Sequence, residues 1–343
     1  MSPGSSLRDG FGTFPSQNAF MNRLITALAI FSVLFVTAAC SGRAAGGDDA
    51  PAEATAAGAA TPGTTTVSEE KLPKGVSHAT IAHGGLERTY RLFVPSKATR
   101  SEKLPLVVGL HGGLGSGDQF AGNSNFETLA ESEGFIAVFP DGTNRTWNGG
   151  NCCGQAAAKD VDDVGFLAAL IAHLTATLPV DSSRVFMTGH SNGGIMSFRF
   201  GCERSEMVRA IAPVAGSMEV PKCQPANGVS LLAIHGDADQ SHPLEGGEGP
   251  RSIAGVPFVS MEKSLALWTA GMQCESIPER STDGPLTTTT WDVCRDGATS
   301  TFIVIAGADH PWPGGITRPG AQDRVSDDLD ATIAIWTFFD RLR

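Results

Sequence analysis

The sequence has no long run of lysine or arginine and no apolar stretch long enough to span a bilayer. Its 25 basic and 36 acidic side chains leave a formal net charge of −11. A chain with this balance and without a basic run is not expected to bind nucleic acid. The longest apolar stretch, residues 24–39, is shorter than the roughly 20 residues that a transmembrane helix needs.

That apolar stretch has the features of an export signal. Arg23 precedes it, and small residues lead directly to Cys40. The small residues before a cysteine resemble the lipobox of bacterial lipoproteins, which implies that Cys40 is lipidated and becomes the mature N-terminus. Ordinary signal cleavage is the alternative. Because the signal pattern starts at Met21, that residue is a candidate for the true start.

The composition divides the chain into three parts. Residues 1–40 are the predicted export signal. Residues 41–75 are rich in Ala, Gly, Thr and Pro without an apolar period, which predicts a flexible linker. From residue 76 to 343, β-type runs alternate with helical patterns, which predicts one α/β domain with a mostly parallel sheet and helices on both faces. We therefore expect a protein outside the cytoplasmic membrane, touching that membrane only through a lipid anchor.

The element boundaries follow from hydrophobic period and turn signals. The predicted strands cover 78–83, 86–94, 104–110, 135–139, 184–188, 210–214, 230–235 and 301–305. The predicted helices cover 126–132, 161–178, 194–202 and 328–342.

Six cysteines besides Cys40 lie in the predicted domain. An even number in an exported chain favours disulfides. Local spacing suggests two disulfide pairs. The two adjacent cysteines then either form a vicinal disulfide with each other or take part in a different pairing. No CxxC pair or histidine at ligand spacing accompanies them, so we expect no metal site. The suggested pairs are Cys274 with Cys294 and Cys202 with Cys223, and the adjacent cysteines are Cys152 and Cys153.

A strand, a glycine-rich turn and a helix surround Ser191. The turn reads Gly189-His190-Ser191-Asn192-Gly193 and matches GxSxG in the context in which this pattern marks a nucleophile. Glycines allow the close backbone approach that such a turn requires, and the helix N-terminus favours developing negative charge. Ser191 is therefore the predicted nucleophile.

The residues after two later strands complete a catalytic triad in the order of the α/β-hydrolases, which is serine, acid, histidine. Asp239 follows the strand at 230–235, and His310 follows the strand at 301–305. We expect His310 to act as the base and Asp239 to orient it. Asp237 is the rival acid and His242 the rival base. Asp237 stands next to a glycine in a position suited to stabilising a turn, and no further strand precedes His242.

Acyl transfer also requires donors for the oxyanion. One candidate is the backbone N–H of Asn192, directly after the nucleophile. The other is the N–H of Gly113, in the loop that follows the strand at 104–110.

Several ordered motifs from about residue 77 onward resemble the secreted polyhydroxybutyrate depolymerase-like and feruloyl esterase-like serine esterases, including actinobacterial esterase lipoproteins. The motifs are LHGG at 110–113, PDG at 140–142, WNGGNCCG at 147–154, VDDVGF at 161–166, GHSNGG at 189–194, APVAG at 212–216, HGDAD at 235–239 and DHPWPGG at 309–315.

The resemblance implies the same triad and oxyanion donors, and no cofactor. It further implies that Asp162 or Asp163 orders a loop beside the site and that Trp147 and Trp312 line the substrate pocket, although a core role is as compatible with either tryptophan. The expected substrates are feruloyl or acetyl esters of polysaccharide, with short 3-hydroxyalkanoate polyesters as the alternative. No Thr-rich linker or binding module follows His310, which favours polysaccharide-linked or soluble esters.

Two rival classes of function are weaker. A catalytically silent envelope lipoprotein that binds a glycan would not need the complete triad. A peptidase of this fold generally carries a gating domain, for which residues 1–75 are short and polar. We expect a monomeric carboxylic-ester hydrolase.

Overall fold

The computed structural model describes residues 71–275, 277–316 and 323–342. The predicted export signal, Cys40 and linker residues 41–70 lie outside the described residues. Leu72 is buried and the first strand begins at Gly75, so the folded domain begins before residue 76, where the sequence places its start. Within the described ranges, no helix combines the length and apolar content needed to cross a bilayer.

A ten-stranded sheet forms the centre of the domain, with the strand order β1-β2-β4-β3-β5-β6-β7-β10-β9-β8. The strands are β1 (Gly75–His83), β2 (Leu86–Val94), β3 (Leu104–Leu110), β4 (Ile136–Pro140), β5 (Val180–His190), β6 (Ala210–Val214), β7 (Ser230–Gly236), β8 (Glu279–Asp283), β9 (Leu286–Trp291) and β10 (Ser300–Ile305). The six central strands, β4-β3-β5-β6-β7-β10, run parallel to one another. Antiparallel strands extend the sheet at both edges.

Helices cover both faces of the sheet. They are α1 (Gly117–Ser124), α2 (Phe126–Glu133), α3 (Gly154–Ala158), α4 (Asp163–Thr177), α5 (Asn192–Glu203), α6 (Met261–Gly271) and α7 (Ala331–Asp340). Strands β3, β4, β6 and β7 are buried along their whole length, as parallel strands between two helical layers must be. One apolar core includes side chains of α4, α5 and α6, and the other includes side chains of α1, α2 and α7. The predicted α/β-hydrolase architecture is confirmed.

The predicted boundaries shift by a few residues, and five of these helices and strands were not predicted. They are α1, α3, α6 and the two strands of the hairpin β8–β9. The segment of α1, GDQFAGNS, contains glycine and asparagine, which are poor helix formers. It is helical because the Ser116 side chain caps it and because Gly117 packs where a Cβ atom would lie 2.2 Å from the carbonyl oxygen of Phe139.

Candidate active site

The turn between β5 and α5 holds Ser191 in a strained conformation. Ser191 has φ 55° and ψ −118°, a region that residues other than glycine rarely adopt. The flanking glycines make the turn possible. A Cβ atom on Gly189 would lie 2.5 Å from the backbone of Gly193, and one on Gly193 would lie 2.2 Å from the carbonyl oxygen of Leu110. The serine is thereby presented at the end of a central strand, which is the geometry of a nucleophile elbow.

His310 and Asp239 meet at the same edge of the sheet. Asp239 follows β7 and His310 follows β10, and these strands are parallel neighbours. The His310 Nδ1 atom lies 2.7 Å from Oδ2 of Asp239, whose side chain is fully buried. The other carboxylate oxygen of Asp239 accepts from the backbone N–H groups of Ser241 (2.9 Å) and His242 (2.7 Å).

The charge of Asp239 is stabilised despite its burial. Burial alone would raise its pKa, but the hydrogen bond from His310 and the electrostatic interactions with His310 and His235 outweigh it and lower the pKa to about 2. The carboxylate is therefore ionised at neutral pH, as an orienting acid must be.

The two rival residues have other partners. Asp237 is exposed, and its carboxylate accepts from the backbone N–H of Gly307 at 2.6 Å, which stabilises the turn after β10. His242 is buried. Its ring stacks on Phe258 with centroids 3.8 Å apart, and its Nε2 atom lies 2.8 Å from the Ser217 hydroxyl. Burial holds the pKa of His242 well below its usual range, so its ring is neutral.

The glycine loop after β3 is fastened by the ring and carbonyl of His111. The Nε2 atom of His111 accepts from the N–H of Gly142 at 2.9 Å, so Nδ1 carries the proton and donates to the carbonyl of Gly112 at 2.8 Å. The carbonyl of His111 accepts from Nε1 of Trp147 at 3.0 Å. These contacts hold Gly113 at the wall of the cavity described below.

Trp147 is a structural residue and does not line the pocket, so of the pocket and core roles that the sequence left open, it has the core role. Its side chain is fully buried and packs against Phe166 and His111. Its backbone N–H donates to Oδ1 of Asn192 at 2.7 Å, and its carbonyl accepts from Nδ2 of the same residue at 3.0 Å. The Asn192 side chain is thus held rigidly, which positions the start of α5.

Trp312 does line the cavity, although only 1% of the residue is exposed. Its ring packs edge-on against Phe120 with centroids 5.1 Å apart, and its Nε1 atom donates to the Thr332 hydroxyl at 3.0 Å. It therefore contributes both to the core and to the cavity wall.

Both aspartates of the VDDVGF motif have structural partners. Asp162 caps α4 by accepting from the N–H of Gly165 at 2.8 Å. Asp163 is buried and accepts from Arg88 at 2.7 Å and from the N–H of Asn148 at 2.8 Å. This pair orders the loop that carries Trp147. Nothing in the motif itself indicates Arg88, which lies 75 residues earlier in the chain.

A cavity of about 520 Å³ opens beside these groups. Ser191, Asn192, Gly113 and His310 all line it. Further wall residues come from α1, from α5 and from the loops at 146–154 and 241–258. They include Phe120, Cys153, Ile195, Arg251, Ile253 and Phe258.

Arg251 links the cavity rim to the histidine loop. Its guanidinium group forms ion pairs with Asp309 and Asp323. Asp309 also accepts from the backbone N–H of His310 at 2.9 Å. The loop that carries the histidine is therefore anchored from the cavity side.

Comparison with known proteins identifies the family. A model of the family described as Esterase PHB depolymerase matches residues 88–220. A protein of Aspergillus niger (strain ATCC MYA-4892 / CBS 513.88 / FGSC A1513) named "Probable feruloyl esterase C" is 30% identical over 193 residues, which cover 53% of this chain and 67% of that protein. The chain belongs to this esterase family. It is a carboxylic-ester hydrolase.

Two further matches extend over more of the chain. The protein named "Putative esterase NocK" from Nocardia uniformis subsp. tsuyamanensis is 27% identical over 328 residues, covering 88% of this chain and 95% of that protein. The solved structure of "Acetyl xylan esterase from Aspergillus awamori" superimposes with a TM-score of 0.52 at 17% identity, covering 68% of this chain and 94% of that one. The second match shows that the two proteins share a fold.

Three disulfides stabilise the esterase domain. Cys202 pairs with Cys223, and Cys274 pairs with Cys294. The adjacent residues Cys152 and Cys153 form a vicinal bridge, one of the two arrangements that the sequence left open. Among the described residues of the esterase, no three His, Cys, Asp or Glu side chains are grouped to hold a metal ion.

Proposed function

We propose that this chain is an exported serine esterase that cleaves feruloyl or acetyl esters of polysaccharide through an acyl-enzyme on Ser191. The observation that carries the proposal is the 2.7 Å contact between His310 and the ionised Asp239, at the cavity that Ser191 also lines. Ester hydrolysis by a nucleophilic serine needs such a base, held in one tautomer by a carboxylate.

Each group has a role in the proposed reaction. The Ser191 hydroxyl attacks the ester carbonyl while Nε2 of His310 takes its proton, and Asp239 stabilises the resulting imidazolium through Nδ1. The backbone N–H groups of Gly113 and Asn192 stabilise the oxyanion. His310 then gives the proton to the leaving alcohol, and a water molecule activated by His310 releases the acid from Ser191.

The substrate class is supported by the names of relatives, which are a feruloyl esterase and an acetyl xylan esterase. The family description also names polyhydroxybutyrate depolymerases, so short 3-hydroxybutyrate esters are the second candidate. The fold itself does not choose between them.

An extracytoplasmic location is part of the proposal. Three disulfides are typical of an oxidising compartment. Export would use residues 1–40, and acylation of Cys40 would leave a monomeric domain tethered to the outer face of the membrane by residues 41–70. Mass spectrometry of the mature N-terminus tests the lipid attachment.

The substrate test compares initial rates on feruloylated arabinoxylan, acetylated xylan and soluble 3-hydroxybutyrate oligomers. We expect release of ferulate or acetate by the purified protein and none by its Ser191→Ala variant. Ser191-dependent release of hydroxybutyrate alone would show that the protein is a polyester hydrolase and not a polysaccharide esterase. Erosion of polyester granules faster than ferulate or acetate release would also contradict the preferred substrates.

Activity should fall at acidic pH, because His310 must be neutral to accept the serine proton. Burial lowers the pKa of His190 to about 4, and it also lowers the pKa values of His235 and His242, so these three rings are harder to protonate than free histidine. A rate that stays constant down to pH 4 would exclude His310 as the base.

A further inference from the structure

A small apolar cluster lies at the cavity, separate from the two cores of the domain. It consists of the Cys152–Cys153 disulfide, Ile195 and Phe258, with Ala254 and Val256 packed against them. We call it the disulfide cluster. Four of these six residues, all except Cys152 and Val256, line the cavity. An apolar surface that faces a binding cavity favours apolar ligand groups, since binding removes that surface from water.

The disulfide is tied to the oxyanion side of the site. The N–H of Cys153 donates to the carbonyl of Trp147 at 3.1 Å, and the same carbonyl accepts from the Asn192 side chain. Ile195 follows Ser191 by one helical turn, and its N–H donates to the carbonyl of Ser191 at 2.9 Å. The loop approaches Ile195 closely, because a Cβ atom on Gly149 would lie 2.3 Å from Cγ2 of that residue.

Buried Glu219 joins the two walls of the cluster. Its carbonyl accepts from the N–H of Asn151 at 2.9 Å, next to the disulfide. Its carboxylate accepts from the N–H of Val259 at 2.8 Å, next to Phe258. Both walls are thereby held by one residue that is 3% exposed. The apolar surface is preorganised and does not have to form when the substrate binds.

The position of the cluster indicates which part of an ester it contacts. The leaving alcohol must lie against His310, which returns its proton. The disulfide cluster contains no residue of the histidine loop. It contacts the elbow instead, because Ile195 donates to the carbonyl of Ser191 and Cys153 donates to the same Trp147 carbonyl as the Asn192 side chain. The acyl group, which stays attached to Ser191 after the alcohol leaves, is the part that the cluster fits.

We propose that the Cys152–Cys153 disulfide is a specificity-determining wall that selects apolar acyl groups larger than acetyl. This rests on the proposed esterase function and specifies the acyl group that it prefers. The bridge keeps the sulfur of Cys153, the member that lines the cavity, from ionising, whereas a free thiol could form a thiolate. The contact with substrate carbon atoms is then made by Cys153 of the bridge, beside Ile195 and Phe258.

The test compares kcat/KM on p-nitrophenyl butyrate and p-nitrophenyl acetate, which share one alcohol. In the Cys152→Ala/Cys153→Ala variant, we expect the butyrate-to-acetate ratio to fall about fivefold, because part of the surface that buries two methylene groups is lost. Partial unfolding would lower both rates by the same factor and leave the ratio unchanged. Ile195→Ala, which cuts back the same wall without touching a disulfide, should lower the ratio as well.

The matched control is Cys274→Ala/Cys294→Ala, which removes a disulfide that does not line the cavity. Its ratio should stay within about twofold of the parent value. An unchanged ratio in the Cys152→Ala/Cys153→Ala variant, or an equal fall in the control, would overturn the proposal. The proposed function fails separately, if no ester is hydrolysed in a Ser191-dependent way.

Discussion

Replacing Ser191 by alanine should lower kcat on p-nitrophenyl acetate by at least about 10⁴-fold, because no other group takes over the covalent step. The variant should fold normally. Alanine retains the Cβ atom, so the backbone at φ 55° bears the same strain as with serine. Comparison of initial rates at saturating ester, with Tm measured on the same samples, separates loss of chemistry from loss of fold.

Ser252→Ala is the matched control, since Ser252 also lines the cavity but is not in the elbow. We expect its kcat to stay within about threefold of the parent value. Retention of more than a tenth of the activity in Ser191→Ala would show that a different group is the nucleophile.

Replacing Asp239 by asparagine should lower kcat by about 10³- to 10⁴-fold, through the tautomer of His310. One oxygen of Asp239 already accepts from the N–H groups of Ser241 and His242. In Asp239→Asn the amide oxygen takes that position, and the amide NH₂ group then faces Nδ1 of His310. The imidazole must accept there and carry its proton on Nε2, where it cannot receive the proton of Ser191.

The control for this change is Asp237→Asn, two residues earlier on the same loop. The Asp237 oxygen accepts from the N–H of Gly307, and an amide oxygen can replace it in that contact. We expect kcat within about threefold of the parent value. A larger loss in Asp237→Asn than in Asp239→Asn, measured at the same pH, would reverse the assignment of the acid.

The local patterns of the sequence predicted the framework of the fold. Strands β3, β5, β6, β7 and β10 were found because each is a short apolar run next to turn residues. Helix α1 was missed because its glycine and asparagine oppose a helix, and its stability depends on a Ser116 cap and on close packing against Phe139. The contribution of Phe120 to the cavity was missed with it.

The order of motifs along the chain predicted the residues of the catalytic triad, but it did not predict the role of every side chain near the site. Trp147 illustrates the difference. The sequence left both a pocket role and a core role open for it, and only its contacts with Asn192, 45 residues later, show that it supports the elbow.

The sequence by itself determined the α/β alternation, the GxSxG turn and the order of serine, acid and histidine. Each of these features depends only on neighbouring residues or on the order of the elements along the chain. Only the tertiary structure decided that Asp239 rather than Asp237 contacts His310, that Arg88 pairs with Asp163, and that Cys153 of the vicinal disulfide faces the cavity. These outcomes depend on contacts between residues far apart in the chain, and such contacts exist only after the sheet has brought its strand ends together.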